Sequence, residues 1–190
     1  MTQILKPDFY QRDATEVARE LLGCIISREI NGVKVSGRIV ETEAYLQDDP
    51  ACHAFRGLTP RTAPMFETGG LSYVYLIYGM YYCFNTVTGD KGNGQAVLIR
   101  ALEPLEGFEV MEKLRKTGNI KNLCSGPGKL CQALAINKDD NLKCLHSGPI
   151  QISFNRHNDD IFTTTRIGVS VGTELPYRYY LKNNPFISKK

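Results

Sequence analysis

Helix-type spacing of apolar residues occurs in only a few short stretches of the chain, the first of them near its start. Asp13 and Glu16 match a capping-box pattern, and apolar residues recur on one side of the turns at residues 17–22. A capping box in front of an apolar stripe predicts a short amphipathic helix. Gly23 is expected to end this helix.

Strand-type runs account for most of the predicted elements. Two apolar runs, residues 24–29 and 34–43, flank Asn31 and Gly32, and an Asn-Gly pair is the strongest short-range signal for a β-hairpin. Similar runs predict further strands at residues 71–77, 81–87, 95–102, 150–154, 166–171 and 177–181.

Two more helices complete the predicted elements. Residues 104–116 form the first, with Pro104 suited to its first turn, and residues 129–135 form the second. A chain of 190 residues is long enough to bury one core, so we expect a single compact domain over residues 1–190. Many strands with few helices indicate an α+β fold.

Residues 45–70 show neither helical nor strand periodicity. Turn-forming residues recur through this segment: Asp48, Asp49, Pro50, Pro60, Pro64, Gly69 and Gly70. This composition predicts a long ordered loop. Loops of that length inside compact domains usually have a function, so residues close to the 45–70 loop are candidates for a functional site.

Composition narrows the possible classes of protein. No apolar stretch has the length of a membrane span, and residues 1–8 lack the apolar core of a secretory signal, so we expect a cytoplasmic protein that does not contact membranes. The six cysteines show no CxxC pair, and His53, His146 and His157 show no metal-ligand spacing. We therefore expect no disulfide, no metal and no cofactor. A formal net charge of +3 permits a polyanionic partner without requiring one.

Two carboxylates and an aromatic ring alternate near the end of the second predicted strand. Glu41, Glu43 and Tyr45 share one face if the strand is extended, with the carboxylates about 6.5 Å apart along the strand. Burying two carboxylates close together is unfavourable, so the stability of the fold gives no reason for placing Glu41 and Glu43 side by side. The residues alone leave two interpretations open: an active site, or a solvated edge strand with its polar face outward.

The predicted hairpin of residues 71–87 is rich in tyrosine. Five of the ten tyrosines lie within residues 72–85, and a half-buried sheet with solvated hydroxyl groups is one interpretation. Tyr78 does not fit it, because it precedes Gly79 at the hairpin tip, where nothing is expected to cover it. An exposed aromatic side chain there indicates a wedge of the kind that proteins acting on nucleobases insert into DNA.

Residues 125–130 (Ser-Gly-Pro-Gly-Lys-Leu) are superficially similar to a phosphate loop. The full pattern needs a glycine where Leu123 stands and a serine or threonine where Leu130 stands, so nucleotide hydrolysis is excluded. A bound backbone phosphate near Lys129 and a plain helix-entry turn remain alternatives. A set of basic residues also has two interpretations, since they could line a DNA-facing surface or serve only solubility: Arg56, Arg61, Lys91, Arg100, Lys129 and Arg166.

Four stretches in order along the chain strongly resemble the alkyladenine (3-methyladenine) DNA glycosylases. They are Gly-Arg-Ile-Val-Glu-Thr-Glu-Ala-Tyr at 37–45, and residues 73–85, 100–107 and 123–136. The resemblance implies a curved, mostly antiparallel sheet flanked by helices, with the tyrosine-rich hairpin protruding. It also implies a cofactor-free enzyme that excises alkylated or deaminated purines from double-stranded DNA. We expect it to act as a monomer.

The resemblance assigns roles to individual residues. Glu43 is the expected general base, and Arg100 and the backbone carbonyl of Ile167 are expected to hold the water that it activates. The expected base-binding side chains are Tyr45, His53, Tyr75 and Asn85.

The same resemblance assigns contacts with the rest of the DNA. Tyr78 is expected to fill the space that the extruded base leaves in the duplex, and Asn85 to obstruct the 2-amino group of normal guanine. Arg61 and Lys129 are expected to contact the DNA backbone. The chain has Arg-Thr-Ala-Pro at 61–64 where the family often has an Arg-Asn-Arg-type run, which leaves the number of these contacts open.

Two other functions compete with this one. A non-catalytic binder of damaged or single-stranded nucleic acid would use the hairpin and the basic loops, but it has no use for a carboxylate in a phosphate-rich cleft. A hydrolase of free nucleosides would leave the exposed Tyr78 unexplained. No lysine stands beside Glu43 in the sequence, so a glycosylase without strand-cutting lyase activity is expected.

Overall fold

One antiparallel sheet carries the residues of the site. The computed structural model describes residues 3–155 and 158–189, and His157 lies outside this part of the chain. Within it, the strands are β1 (Ile25–Ile30), β2 (Val33–Tyr45), β3 (Ser72–Ile77), β4 (Tyr81–Val87), β5 (Ala96–Glu106), β6 (Ile150–Ser153), β7 (Ile161–Thr164) and β8 (Arg178–Leu181). Their order is β3-β4-β5-β2-β1-β6, with β8 pairing with both β2 and β7.

Strand β2 is the centre of this sheet. It pairs with β5 along one edge, and along the other with β1 over its first half and β8 near its end. The register with β5 shifts beside Gly37 and again on either side of Glu41, which bends β2 and curls the sheet. The helices are α1 (Pro7–Tyr10), α2 (Ala14–Glu20), α3 (Phe108–Arg115) and α4 (Pro127–Ala133). The predicted fold, a single compact α+β domain with a curved antiparallel sheet, is confirmed.

The early elements follow the sequence pattern closely. Helix α2 begins after Asp13, whose side chain accepts the Thr15 N–H, and the β1–β2 hairpin turns at Asn31 and Gly32, both with positive φ. The predicted helix at 129–135 is α4, which begins two residues earlier, at Pro127.

Two predicted elements are wrong. The helix expected at 104–116 begins only at Phe108, because β5 continues through Pro104, which lies opposite Gly37 beside a register shift that tolerates proline. The strand expected at 166–171 is absent from this described segment, and β7 lies before it. Gly168 has a φ of 78°, and the Ile167 N–H is bonded to a side chain instead of to a neighbouring strand.

Two apolar clusters hold the fold together. The larger one packs α2 and α4 against the sheet and contains fully buried side chains such as Leu21, Ile39 and Phe84. The smaller one lies beneath the 45–70 loop and contains Cys52, Ala54, Met65, Tyr73, Val87 and Ala96. The loop also contains two short 3-10 helices, His53–Arg56 and Ala63–Phe66. It is therefore an anchored loop that places His53 at a fixed position. No helix in the described part of the chain combines the length and apolar character that crossing a membrane requires.

Candidate active site

A cavity of about 980 Å³ opens between the 45–70 loop, the β3–β4 hairpin, the start of α4 and the segment after Arg166. Nine of the ten predicted site residues line it: Tyr45, His53, Arg61, Tyr75, Tyr78, Asn85, Arg100, Lys129 and Ile167. They come from distant parts of the chain, so the fold brings together the residues that the sequence resemblance selected. The tenth residue, Glu43, lies directly behind the cavity wall.

Glu43 is fully buried and is held by three groups that themselves line the cavity. Its Oε1 accepts the backbone N–H of Ile167 at 2.8 Å, and its Oε2 accepts the Tyr45 hydroxyl at 2.8 Å. Arg100 Nη1 forms an ion pair with Oε2 at 3.1 Å. A carboxylate has about four acceptor positions, so one position, on Oε1, remains for a further donor such as water.

Glu41 has a different environment on the same strand. It is also fully buried, and its Oε1 accepts Arg100 Nε at 3.1 Å, Arg178 Nε at 2.8 Å and the Ser188 hydroxyl at 2.9 Å. Both carboxylates therefore contact Arg100, as the alternation in β2 predicts, but Glu41 faces a closed ionic cluster away from the cavity. The interpretation of this strand as a solvated edge is wrong, because neither carboxylate reaches solvent.

Arg100 connects the two carboxylates. It stands on β5, opposite β2, and is 7% exposed. Burial by itself would lower the pKa of this guanidinium, but the carboxylates of Glu43 and Glu41 raise it, so the group remains charged. Arg100 therefore keeps a charged guanidinium within ion-pair distance of Glu43 Oε2.

Aromatic rings form one wall of the cavity. The His53 and Tyr75 ring centroids are 4.7 Å apart with the rings at 67°, and His53 Nδ1 lies 3.0 Å from the Tyr73 hydroxyl. Partial burial of the imidazole, helped by the nearby charge of Arg61, lowers the pKa of His53 below its ordinary value. Burial, followed by the effect of Glu43, raises the pKa of the Tyr45 hydroxyl. Both side chains are therefore neutral at pH 7.

Asn85 is a buried residue of the cavity lining. Its side chain is 4% exposed, and its Nδ2 donates to the backbone carbonyl of Tyr73 at 2.9 Å. Strand β4 places Asn85 opposite Tyr73 on β3 and opposite Leu98 on β5. The amide is thus held in place in the part of the cavity lining where β4 lies between β3 and β5.

The tip of the β3–β4 hairpin is exposed and apolar. Tyr78 has a φ of 53° and Gly79 a φ of 69°, the positive values that a type I′ turn requires at its two central positions. Tyr78 is 80% exposed, and the neighbouring Leu76 and Met80 are exposed as well. A large aromatic side chain at the rim of a cavity, in a backbone conformation that tyrosine rarely adopts, is typical of a functional position.

The basic residues do not form a single surface. Arg61 is exposed at the cavity rim, where its guanidinium carbon lies 5.9 Å from the Tyr75 ring centroid. Arg100 and Arg166 are buried in ion pairs, so the interpretation of those two as DNA-facing surface residues is wrong. Lys129 lines the cavity, and its Nζ contacts Asn122 and Ser125.

The Gly-Pro-Gly-Lys stretch has a packing role of its own. Gly126 is the N-cap of α4, and a Cβ at Gly128 would lie 3.0 Å from the Cβ of Tyr81 in the hairpin. The absence of a side chain at Gly128 lets α4 pack closely against β4, which explains the glycine without a bound phosphate. This packing supports the helix-entry alternative for residues 125–130.

Sequence reasoning missed several residues at the site. Arg115 also lines the cavity, and Arg178 pairs with Glu41. Asp49 forms a buried ion pair with Arg166, whose guanidinium lies 4.7 Å from the centroid of the Tyr45 ring. No local signal marks these pairs, because Asp49 and Arg166 are 117 positions apart. In the described part of the chain, no cluster of three or more His, Cys, Asp or Glu side chains could hold a metal ion.

Comparison with known proteins identifies the family of the chain. The model of the family described as methylpurine-DNA glycosylase matches residues 8–185. A protein of Carboxydothermus hydrogenoformans named "Putative 3-methyladenine DNA glycosylase" is 50% identical over 98% of this chain and all of its own length. Proteins of the same name from Clostridium botulinum (48% identical, 98% of this chain and 100% of its own) and Methanoculleus marisnigri (46%, 96% and 97%) are also similar. With a family match that covers nearly all of its residues, the chain belongs to the methylpurine-DNA glycosylase family.

Proposed function

We propose that this DNA glycosylase acts on alkylated and deaminated purines in double-stranded DNA, and that Glu43 activates the water that cleaves the N-glycosidic bond. The observation that carries the proposal is a buried carboxylate, paired with Arg100, directly behind a cavity walled by Tyr45, His53 and Tyr75. A damaged nucleotide would leave the base stack and enter this cavity, and Tyr78 would occupy the space it leaves.

The chemistry of the cavity suits a damaged purine. Alkylation at N3 or N7 gives the purine a formal positive charge, and a cation over the face of an aromatic ring gains about 0.5 to 2 kcal/mol. Hypoxanthine and ethenoadenine are neutral and would bind through stacking alone. Asn85 would meet the 2-amino group of a normal guanine in the cavity, which excludes the undamaged base.

Glu43 would act in the manner of the carboxylate base of an inverting glycosidase. Its free acceptor position on Oε1 would take the proton of a water aimed at C1′ as positive charge develops on the sugar. Arg100 would hold the carboxylate in place, and the backbone of Ile167 lies next to the same oxygen, at 2.8 Å through its N–H. The expected contact of water with the Ile167 carbonyl stays a prediction.

The reaction proposed is hydrolysis only, by a monomer that needs no cofactor. A strand-cutting lyase would need an amine to form a Schiff base with the sugar. Lys129 is the one lysine among the described residues that line the cavity, and its Nζ is occupied by Asn122 and Ser125. Incubation with substrate DNA and borohydride should therefore trap no covalent adduct, and an adduct would contradict this part of the proposal.

The test compares wild-type protein with Glu43→Gln on duplex DNA that carries one hypoxanthine or one ethenoadenine. Wild type should produce alkali-labile sites, and Glu43→Gln should bind the same DNA yet lose at least about 100-fold in single-turnover rate, as expected when a general base is removed. Glu67→Gln is the matched control, because Glu67 forms a surface ion pair with Lys91 and is not among the described residues that line the cavity.

Each outcome of this test has a defined meaning. Equal cleavage by wild type and Glu43→Gln would rule out Glu43 as the base. Binding without cleavage by wild type would favour the alternative function, a non-catalytic binder of damaged DNA. Cleavage of free nucleosides but not of DNA would favour the third alternative.

A further inference from the structure

A buried ion pair lies against the ring that is expected to stack on the damaged base. The guanidinium carbon of Arg166 is 4.7 Å from the centroid of Tyr45 and 5.4 Å from that of Tyr177. Tyr45 lines the cavity, whereas Arg166 is not among the described residues that line it, and its side chain is 0% exposed. The cation therefore lies behind the Tyr45 ring, on the side away from the cavity.

Asp49 supplies the opposite charge at this position. Its Oδ1 accepts Arg166 Nη2 at 2.9 Å, its Oδ2 contacts Arg166 Nη1, and its side chain is 1% exposed. Arg166 Nη1 also donates to the backbone carbonyl of Ala44, next to Tyr45, at 3.1 Å. The pair is thus fixed to the backbone that carries the ring, and solvent cannot screen either charge.

The sign of these charges matters for what Tyr45 can bind. A cation on one face of an aromatic ring weakens the attraction of a cationic ligand to the other face, because both interact with the same π electrons. The two positive charges also repel each other directly. The remaining buried charges at the site balance one another, since Glu41 and Glu43 are paired with Arg100 and Arg178. Asp49 is therefore the group that prevents Arg166 from making the stacking wall electropositive.

We propose that Asp49 is a specificity-determining residue that preserves the affinity of the cavity for positively charged purines by neutralising Arg166 behind Tyr45. The inference rests on the proposed function and names the substrate class that depends on this pair. Purines alkylated at N3 or N7 carry a positive charge in DNA, whereas hypoxanthine is neutral and its ring gains negative charge as the glycosidic bond breaks. Loss of the Asp49 charge should slow the release of positively charged purines more than the release of hypoxanthine.

The experiment measures kcat/KM on two duplexes that differ only in the target base, 7-methylguanine or hypoxanthine. Asp49→Asn should lower the ratio of the 7-methylguanine rate to the hypoxanthine rate about 20-fold, the effect of one uncompensated charge about 9 Å from the base at an effective dielectric constant of about 20. The double variant Asp49→Asn with Arg166→Gln should restore the wild-type ratio, because the position is again neutral even if both rates fall.

Controls separate charge from structure. Asp49→Glu keeps the charge and should keep the ratio, and Asp49→Ser, which is smaller and neutral, should reproduce the Asn result if the Asn variant does not fold. A purely structural role would lower both rates together and leave the ratio unchanged in every folded variant, which would overturn the inference. Failure of wild type to release either base would overturn the proposed function instead.

Discussion

Glu41→Gln should destabilise the protein far more than a typical change of a charged side chain. The Glu41 carboxylate is 0% exposed and accepts three hydrogen bonds on Oε1, from Arg100, Arg178 and Ser188. After the substitution, Arg100 retains Glu43 as a partner. Arg178 would keep a contact with the backbone carbonyl of Lys189 but would have no acidic partner among the ion pairs of the described residues.

The size of the effect follows from that imbalance. Removing one partner of a buried ion pair and leaving the other costs about 3 to 5 kcal/mol. For a domain of this size, that change corresponds to a fall in Tm of about 6 to 20 °C. Since domains are stable by only about 5 to 15 kcal/mol, Glu41→Gln should still fold at 25 °C, with a small margin.

Urea unfolding at pH 7 measures the effect, with Glu67→Gln as the matched control. The midpoint for Glu41→Gln should fall by about 1.5 to 2.5 M for an m-value of about 2 kcal/mol/M. Glu67 pairs with Lys91, and these side chains are 43% and 71% exposed, so Glu67→Gln should cost no more than about 1 kcal/mol. Equal costs for the two variants would refute the reasoning, because Glu41 lies in a buried cluster with two arginines and Glu67 has an exposed lysine partner.

Two further substitutions test individual parts of the cavity. Tyr78→Asn should leave the Tm unchanged, because the Tyr78 side chain is 80% exposed and asparagine tolerates positive φ. The same substitution should lower the single-turnover rate on duplex DNA by about 5- to 150-fold, because aromatic stacking is lost. An unchanged rate would contradict the wedge. The lowered pKa of His53 means that the ring is neutral at pH 7 and gains a proton only below about pH 6.5, so release of 7-methylguanine relative to hypoxanthine should fall as the pH drops through that region. His53→Gln should lack this fall, and a profile identical to wild type would exclude His53 as its source.

The sequence predicted the parts of the fold that depend on local signals. Asp13 in front of an apolar stripe marks α2, and Asn31-Gly32 marks the β1–β2 turn, because capping and turn geometry are decided within a few residues. Pro104 misled the prediction for the same reason. Proline suits the first turn of a helix, but the long register of β5 against β2 places it at an irregular point of the strand.

The strand predicted at residues 166–171 failed for a different reason. Their apolar and polar residues alternate as in a strand, yet Arg166 is drawn inward by Asp49, and the following N–H binds Glu43. The ion pair that prevents a strand here joins residues more than a hundred positions apart. A prediction from short stretches of sequence cannot detect such a pair. The family resemblance selected most of the residues that line the cavity, including Arg100, but it gave no indication that Arg178 pairs with Glu41 or that Asp49 pairs with Arg166.

The two glutamates of β2 have different neighbours. Both lie on one face of the strand and both contact Arg100, so spacing alone treats them as equivalent. Glu41 meets Arg178 and Ser188 on its far side, and these groups close it off within the fold. Glu43 meets Tyr45 and Ile167, which line the cavity, and it keeps one acceptor position free. In the proposed reaction a water from the cavity must reach the base, and this favours Glu43, because its partners Tyr45 and Ile167 line the cavity. Glu41 therefore contributes by holding Arg100, which predicts that Glu41→Gln lowers stability and kcat together, whereas Glu43→Gln lowers kcat by a much larger factor than any loss of stability explains.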